Sequence, residues 1–147
     1  MPSRTARTAW NGTLENGSGQ VELASSGVGT YNVSFPRRAA DEAGGVTSPE
    51  ELIAAAHSSC YAMQLSAFIA EAGGTPQSLD VTAKVSLGPD PAGGFAITGI
   101  AITVRAEVEG LDAAGFEKAA LAAKDDCPVS KALAGTTITL DAALDRG

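Results

Sequence analysis

The sequence predicts a mixed α+β fold, and three observations carry that prediction. A capped apolar segment beginning at Ser48 and ending at Gly73-Gly74 has the length and signals of one long helix. Two runs in the second half, around 79–87 and 100–108, alternate apolar and polar residues, the pattern of strands with one wet face. Short strand-like runs punctuated by glycine occupy the first 35 residues, so both periodicities are present in one chain.

The elements follow in order. Residues 5–14 and 20–26 read as two short strands joined at Asn16-Gly17-Ser18-Gly19, a turn suited to a hairpin. Tyr31 to Phe35 is a third alternating run. The next 14 residues, PRRAADEAGGVTSP, hold two prolines, two glycines and four charges and read as a surface loop leading into a helix. Ser48 then offers a cap, Pro49 suits the first helical position and Glu51 completes a capping box. The helix LIAAAHSSCYAMQLSAFIAEA is apolar nearly all round, which predicts burial on most sides, and Gly73 supplies a left-handed stop.

In the second half, Leu79, Val81, Ala83, Val85 and Leu87 share one face of a strand, and a Gly-Pro-Asp-Pro turn region follows. Ile100, Ile102, Val104, Ala106 and Val108 share a face of the next, so the two resemble a meander. Asp112 caps a helix through Ala123 with Phe116, Ala119, Ala120 and Ala123 on one side. Pro128 opens a short helix after Cys127, Gly135 stops it, and Ile138, Leu140, Ala142 and Leu144 line a closing strand.

At 147 residues the chain reads as a single domain, 1–147. A net charge of −7 argues against nucleic acid as a partner, because phosphate binding needs clustered Lys and Arg. The longest apolar stretch, Leu52 to Ile69, is interrupted by His57, Ser58, Ser59, Gln64 and Ser66, which makes a membrane span a poor reading. The start, MPSRTARTAWNG, has no apolar signal core, so the expected location is cytoplasmic. Two cysteines in a reducing compartment read as catalytic or inert thiols rather than a permanent bridge. Seventeen Gly among only seven aromatic residues suggest close-packed elements and a core that an oligomer interface enlarges.

Cys60 lies twelve residues past the Ser48 cap, where a cysteine is either a small hydrophobe or, if a cation stabilises its thiolate, a nucleophile. Arg37 and Arg38, just before the helix, are the candidate cations; equally, they are solvated loop residues. Glu50 or Glu51 can orient an arginine by a bidentate contact, or simply favour the positive helix start. Glu50 and Cys60 are ten residues apart, about 15 Å of helical rise, so they converge on one arginine only if the glutamate comes from a partner subunit or the helix is broken. Asp125 and Asp126 disfavour a thiolate at Cys127 while a helix start favours one, which makes Cys60 the better nucleophile and Cys127 the better resolver. His57, three residues before Cys60, suits a Cys-His pair, part of a metal site, or a satisfied core histidine, the last being the simplest. With one His and two Cys, a four-ligand zinc site would have to recruit carboxylates, which is uncommon for structural zinc.

The segment TSPEELIAAAHSSCYAMQLS resembles the central helix motif of the OsmC/Ohr family, the osmotically inducible and organic-hydroperoxide-resistance proteins. The likeness extends to AWNGTLENGSG, EAGGTP, GGFAITGIAI, CPVSKAL and ITLDAAL, covers nearly the whole chain, and leans to the OsmC branch. It implies an α/β (α+β) intertwined homodimer with two long central helices packed against antiparallel-rich β-sheets and active sites at the subunit interface. It further implies a peroxidase that reduces organic hydroperoxides, with Cys60 as peroxidatic cysteine, Cys127 as resolving cysteine, Glu50 as the glutamate and Arg38 as the arginine, Arg37 being the alternative. A dihydrolipoyl group is the implied reductant, with no metal, haem or flavin. The rival readings are a non-catalytic stress-related binding dimer and a cysteine hydrolase using Cys60 and His57.

Overall fold

The computed structural model describes residues 1–145, and its contacts gather into two units, residues 1–52 and the chain from Ile53 onward. In the first unit, β1 (Arg7–Asn11), β2 (Ser18–Glu22) and β3 (Thr30–Val33) form an antiparallel sheet in that order. The β1–β2 connection is Gly12 to Gly17, since Asn11 pairs with Ser18. This corrects the turn expected at residues 16–19. The reason is local: Gly12 takes φ +98°, and a side chain at Gly17 would lie 2.3 Å from the Thr13 carbonyl, so the glycines turn the chain earlier. The sheet leaves Trp10 and Tyr31 40% and 43% exposed, an apolar surface that its own chain does not cover.

The stretch after β3 is not wholly loop. Phe35–Ala39 forms a short helix, α1, with Ser34 as N-cap accepting from the Arg37 N–H and a proline in the first turn. Five residues are too short to show a period, so only the Ser-x-Pro start marks it in the sequence.

The long helix α2 (Pro49–Glu71) is continuous and starts as expected, with the Glu51 N–H donating to Ser48 Oγ at 3.1 Å. The return half of the capping box is replaced: the Glu51 carboxylate accepts from the Thr47 hydroxyl instead. Gly73 at φ +91° and a Gly74 N–H to Ile69 carbonyl bond of 2.9 Å close its other end.

In the second unit, β4 (Thr75–Pro89) and β5 (Phe95–Glu109) pair antiparallel over their full length, and the chain turns at Asp90–Gly94. Helix α3 (Ala113–Asp126), the short helix α4 (Pro128–Ala132) and β6 (Ile138–Leu144) follow. β6 runs parallel to β5, so the sheet is not a simple meander: the two intervening helices carry the chain back before it pairs. The core is the expected one. Ile100, Ile102, Val104 and Ala106 of β5 meet Tyr61, Leu65 and Ile69 of α2 and Phe116, Ala119, Ala120 and Ala123 of α3. Each large side chain among them gains about 1.5–3 kcal/mol by leaving water.

Helix α2 is buried along one stripe only: His57, Tyr61, Leu65 and Ile69, four residues apart, are completely inaccessible. Met63 is 72% exposed, and Ala55, Ala56, Ser59, Ala67 and Ala70 are exposed as well. At about 100° per residue these fall on one continuous arc, so the chain alone covers less of the helix than its apolar circumference leads one to expect. Cys60 is half-buried, at the edge between stripe and arc. By length and composition α2 would cross a bilayer. Its buried stripe against β5, however, is the behaviour of a core helix.

Candidate active site

Pro128 builds the corner that presents the second thiol. A proline disfavours helical backbone in the residue before it, and Cys127 accordingly leaves α3 with φ −58° and ψ 127°. Cys127 thereby ends one helix, donating its N–H to Ala123, and starts the next, its carbonyl accepting from Lys131. The side chain turns inward and is fully buried.

There it meets Cys60. The two sulfurs are 2.9 Å apart, both as free thiols in hydrogen-bond contact. The Val129 N–H, in the first turn of α4, also donates to the Cys60 sulfur. Burial pushes the Cys60 thiol up from its ordinary pKa, the Cys127 contact pushes it further, and the Val129 N–H opposes both. The groups acting on Cys60 thus favour a thiol, and a thiolate requires an added positive group.

Around this pair, α2 contacts the α3–α4 corner at two further points. His57 Nε2 lies 2.7 Å from Ser130 Oγ, and Gln64 Nε2 donates to the Asp126 carboxylate at 3.3 Å. Asp126 also pairs with Lys131 at 3.1 Å. Tyr61 donates its hydroxyl to the Ala120 carbonyl at 3.0 Å, and burial raises its pKa. His57 is committed to Ser130, and burial lowers its pKa, so it stands neutral beside the cysteines. That arrangement favours a core histidine held by Ser130, with Nδ1 left unpartnered, over a base for Cys60.

Within the first unit, Arg38 grips Glu50. Arg38 Nε donates to both carboxylate oxygens at 2.9 and 3.2 Å, and Nη2 adds a third contact at 3.0 Å. The hydrogen bonds to Glu50 raise the arginine's pKa further. Glu50 is buried despite its charge, which the fork of Arg38 makes tolerable. Arg37 is placed differently: its guanidinium lies against Gly44, where an added side chain would come within 2.6 Å. Of the two arginines, Arg38 is the one oriented by the glutamate. Among the described residues no three His, Cys, Asp or Glu side chains group as metal ligands.

The model of the OsmC-like protein family matches residues 42–141, which include Glu50, both cysteines and the helices that hold them. The chain belongs to the OsmC-like family. It is 45% identical over 132 residues to a protein of Escherichia coli K12 named peroxiredoxin OsmC, covering 90% of each chain, and equally so to that of Shigella flexneri. Among solved structures, the organic hydroperoxide resistance protein OhrB of Bacillus subtilis superposes with a TM-score of 0.72 at 27% identity, covering 96% of this chain and 98% of that one. An organic hydroperoxide resistance protein of Elizabethkingia anophelis gives 0.72 at 26% identity, covering 98% and 99%. An OsmC-like protein of Vibrio cholerae shares the fold at 18% identity with a TM-score of 0.75, covering 97% and 100%.

For this OsmC-like chain, sequence reasoning singled out four candidate residues, and the structure places them in two pairs, Cys60 with Cys127 and Arg38 with Glu50. Sequence reasoning missed Ser130 and the Val129 N–H. The signal for Ser130 is a matching interval: His57 and Cys60 are three apart on α2, and Cys127 and Ser130 are three apart across α4.

Proposed function

We propose that the protein is a thiol peroxidase that reduces organic hydroperoxides to alcohols and is recycled through a Cys60–Cys127 disulfide. The observation that carries this reading is the free dithiol with its sulfurs 2.9 Å apart. The names of the E. coli relative and of the B. subtilis structure support it.

In the first step the Cys60 thiolate attacks the terminal peroxide oxygen. The O–O bond breaks, the alkoxide takes a proton and leaves as the alcohol, and Cys60 is left as a sulfenic acid. In the second step the Cys127 sulfur attacks the Cys60 sulfur. The S–S bond forms, the S–O bond breaks, and the hydroxide leaves with the thiol proton as water. An external dithiol, which we assign to a dihydrolipoyl group, then reduces the disulfide. The reaction as written uses no metal, haem or flavin. An alkyl substrate gains by resting on the apolar helix beside Cys60, so organic peroxides outcompete hydrogen peroxide.

The thiolate calls for the Arg38 guanidinium. Because α2 is continuous, Glu50 lies about 15 Å of helical rise from Cys60 of the same chain. On this reading the arginine held by Glu50 in one protomer serves Cys60 of the partner subunit, in a homodimer that covers the exposed arc of α2. The enzyme acts in the cytoplasm, where such a dithiol reductant is kept reduced, and both units work as a single functional domain.

The test is turnover of cumene hydroperoxide with dihydrolipoamide as reductant, beside hydrogen peroxide. Rapid turnover with the organic substrate preferred supports the reading. No turnover with either peroxide overturns it and leaves a binding protein.

A further inference from the structure

We infer that His57 and Ser130 form a positioning pair that keeps Cys127 in reach of Cys60 after Cys60 has been oxidised. This rests on the peroxidase reading and adds to it two residues that handle neither peroxide nor electrons.

Four features support the assignment. His57 is completely inaccessible and Ser130 is 5% exposed, so their 2.7 Å contact is shielded from water. His57 Nδ1 is buried without a partner, which costs about 1–3 kcal/mol that an apolar residue would avoid. The Nε2–Oγ bond can form in either tautomer, and with the proton on Nε2 the unpartnered Nδ1 is an acceptor rather than a donor. Third, the pair joins α2 to α4, one helical turn from the thiols, which join α2 to the α3–α4 corner.

The last feature is what oxidation does to the other contacts. Oxidation replaces the Cys60 thiol by a sulfenic acid, which alters the thiol contact with Cys127 and the Val129 N–H bond at the same sulfur. The Gln64–Asp126 contact is exposed and shared with Lys131, hence weak. Among the described residues, the His57–Ser130 bond is the side-chain contact from α2 to α4 that is both buried and off the changing sulfur, whereas the buried Tyr61–Ala120 bond holds α3. α4 has five residues and no side-chain cap from Cys127, so the buried bond to His57 joins the packing of its C-cap Leu133 in fixing its orientation. The step it serves is the condensation of Cys60–SOH with the Cys127 thiol to a disulfide and water, for which a misplacement of about 1 Å costs on the order of a hundredfold in rate. A slow second step exposes the sulfenic acid to a second peroxide, giving the sulfinic acid.

The experiment is rapid-quench mass spectrometry of the full-length reduced protein with one and with ten equivalents of cumene hydroperoxide. Ser130→Thr and Ser130→Val have the same shape and differ only in the hydroxyl. We expect the threonine variant to form the disulfide near the wild-type rate and the valine variant about tenfold more slowly, with more Cys60 sulfinic acid at excess peroxide. Loss of Cys60 thiol, the first step, changes less than about threefold in either. His57→Leu should match Ser130→Val, and the double variant should be no slower than either single. Equal disulfide rates for threonine and valine, with both variants folded by circular dichroism, overturn the inference. If either fails to fold, His57→Gln against His57→Leu makes the same comparison from the other side of the bond, and equal rates overturn it there. A wild-type protein that forms no disulfide overturns the peroxidase reading itself, an outcome distinct from the others.

Discussion

Arg38 meets Glu50 side-on, its Nε and Nη2 reaching both carboxylate oxygens at 2.9–3.2 Å while Glu50 is almost wholly buried. The geometry fixes the plane of the guanidinium and leaves Nη1 out of the contacts made with Glu50. Lysine keeps the charge but cannot reproduce the fork. Arg38→Lys should therefore lower kcat/KM for cumene hydroperoxide by about a hundredfold, whereas Arg37→Ala should change it less than about threefold. Steady-state peroxide consumption measures both, and equal losses would remove the distinction between the two arginines.

If the arginine acts across the dimer, complementation follows. Mixing Arg38→Ala with Cys60→Ser protomers, each inactive alone, places an intact Arg38 opposite an intact Cys60 in every heterodimer. Recovery of about a quarter of wild-type activity after subunit exchange is expected, one site in each of the roughly half of dimers that are mixed. No recovery, with exchange verified by native mass spectrometry, would place the arginine in the same chain as its cysteine.

The exposed arc of α2 makes its own prediction. Ala67→Arg should shift the protein to monomer by sedimentation and abolish peroxidase activity with it, since the arc carries exposed Met63 and a run of small residues suited to close helix contact. An active monomer would contradict a site shared between subunits.

His57 couples stability to pH. Burial holds its pKa below the ordinary value, so the unfolded chain takes up a proton more readily than the folded one. Its contribution is complete above about pH 6.5 and is lost as pH falls through the folded pKa. Urea midpoints between pH 7.5 and 5 should decline less in His57→Gln than in wild type. Parallel declines would assign the acid sensitivity to other groups.

Legibility in the sequence divides along physical lines. The core was readable because period is a repeated signal: Phe116, Ala119, Ala120 and Ala123 were named from spacing and all four are buried. The Ser48 cap and the Gly73 stop were readable because each is a local demand of the backbone. The parallel pairing of β6 was not, since strand order is decided by where α3 and α4 carry the chain. The five-residue α1, which positions Arg38, is too short to leave a period. Of the site, the order of the two cysteines rests on their flanking residues and, like Glu50 and Arg38, on family likeness, while the local sequence leaves open the salt bridge that orients Arg38 rather than Arg37. Ser130 went unseen because its hydrogen bond spans 73 residues, and the matching three-residue intervals mean a contact only once α2 and α4 are known to meet.

Replacing Cys127 by serine separates the two chemical steps. Cys127→Ser should consume one equivalent of peroxide and stop at Cys60 sulfenic acid, then progress to sulfinic acid with excess, whereas Cys60→Ser should consume none. Mass spectrometry with a sulfenic-acid trap checks it.

The central claim is tested most directly by treating the reduced protein with one equivalent of cumene hydroperoxide and mapping its thiols by mass spectrometry within the first second. The account predicts an intrachain Cys60–Cys127 disulfide with one equivalent of alcohol released. Persistence of both free thiols, while the peroxide remains unconsumed, would contradict it.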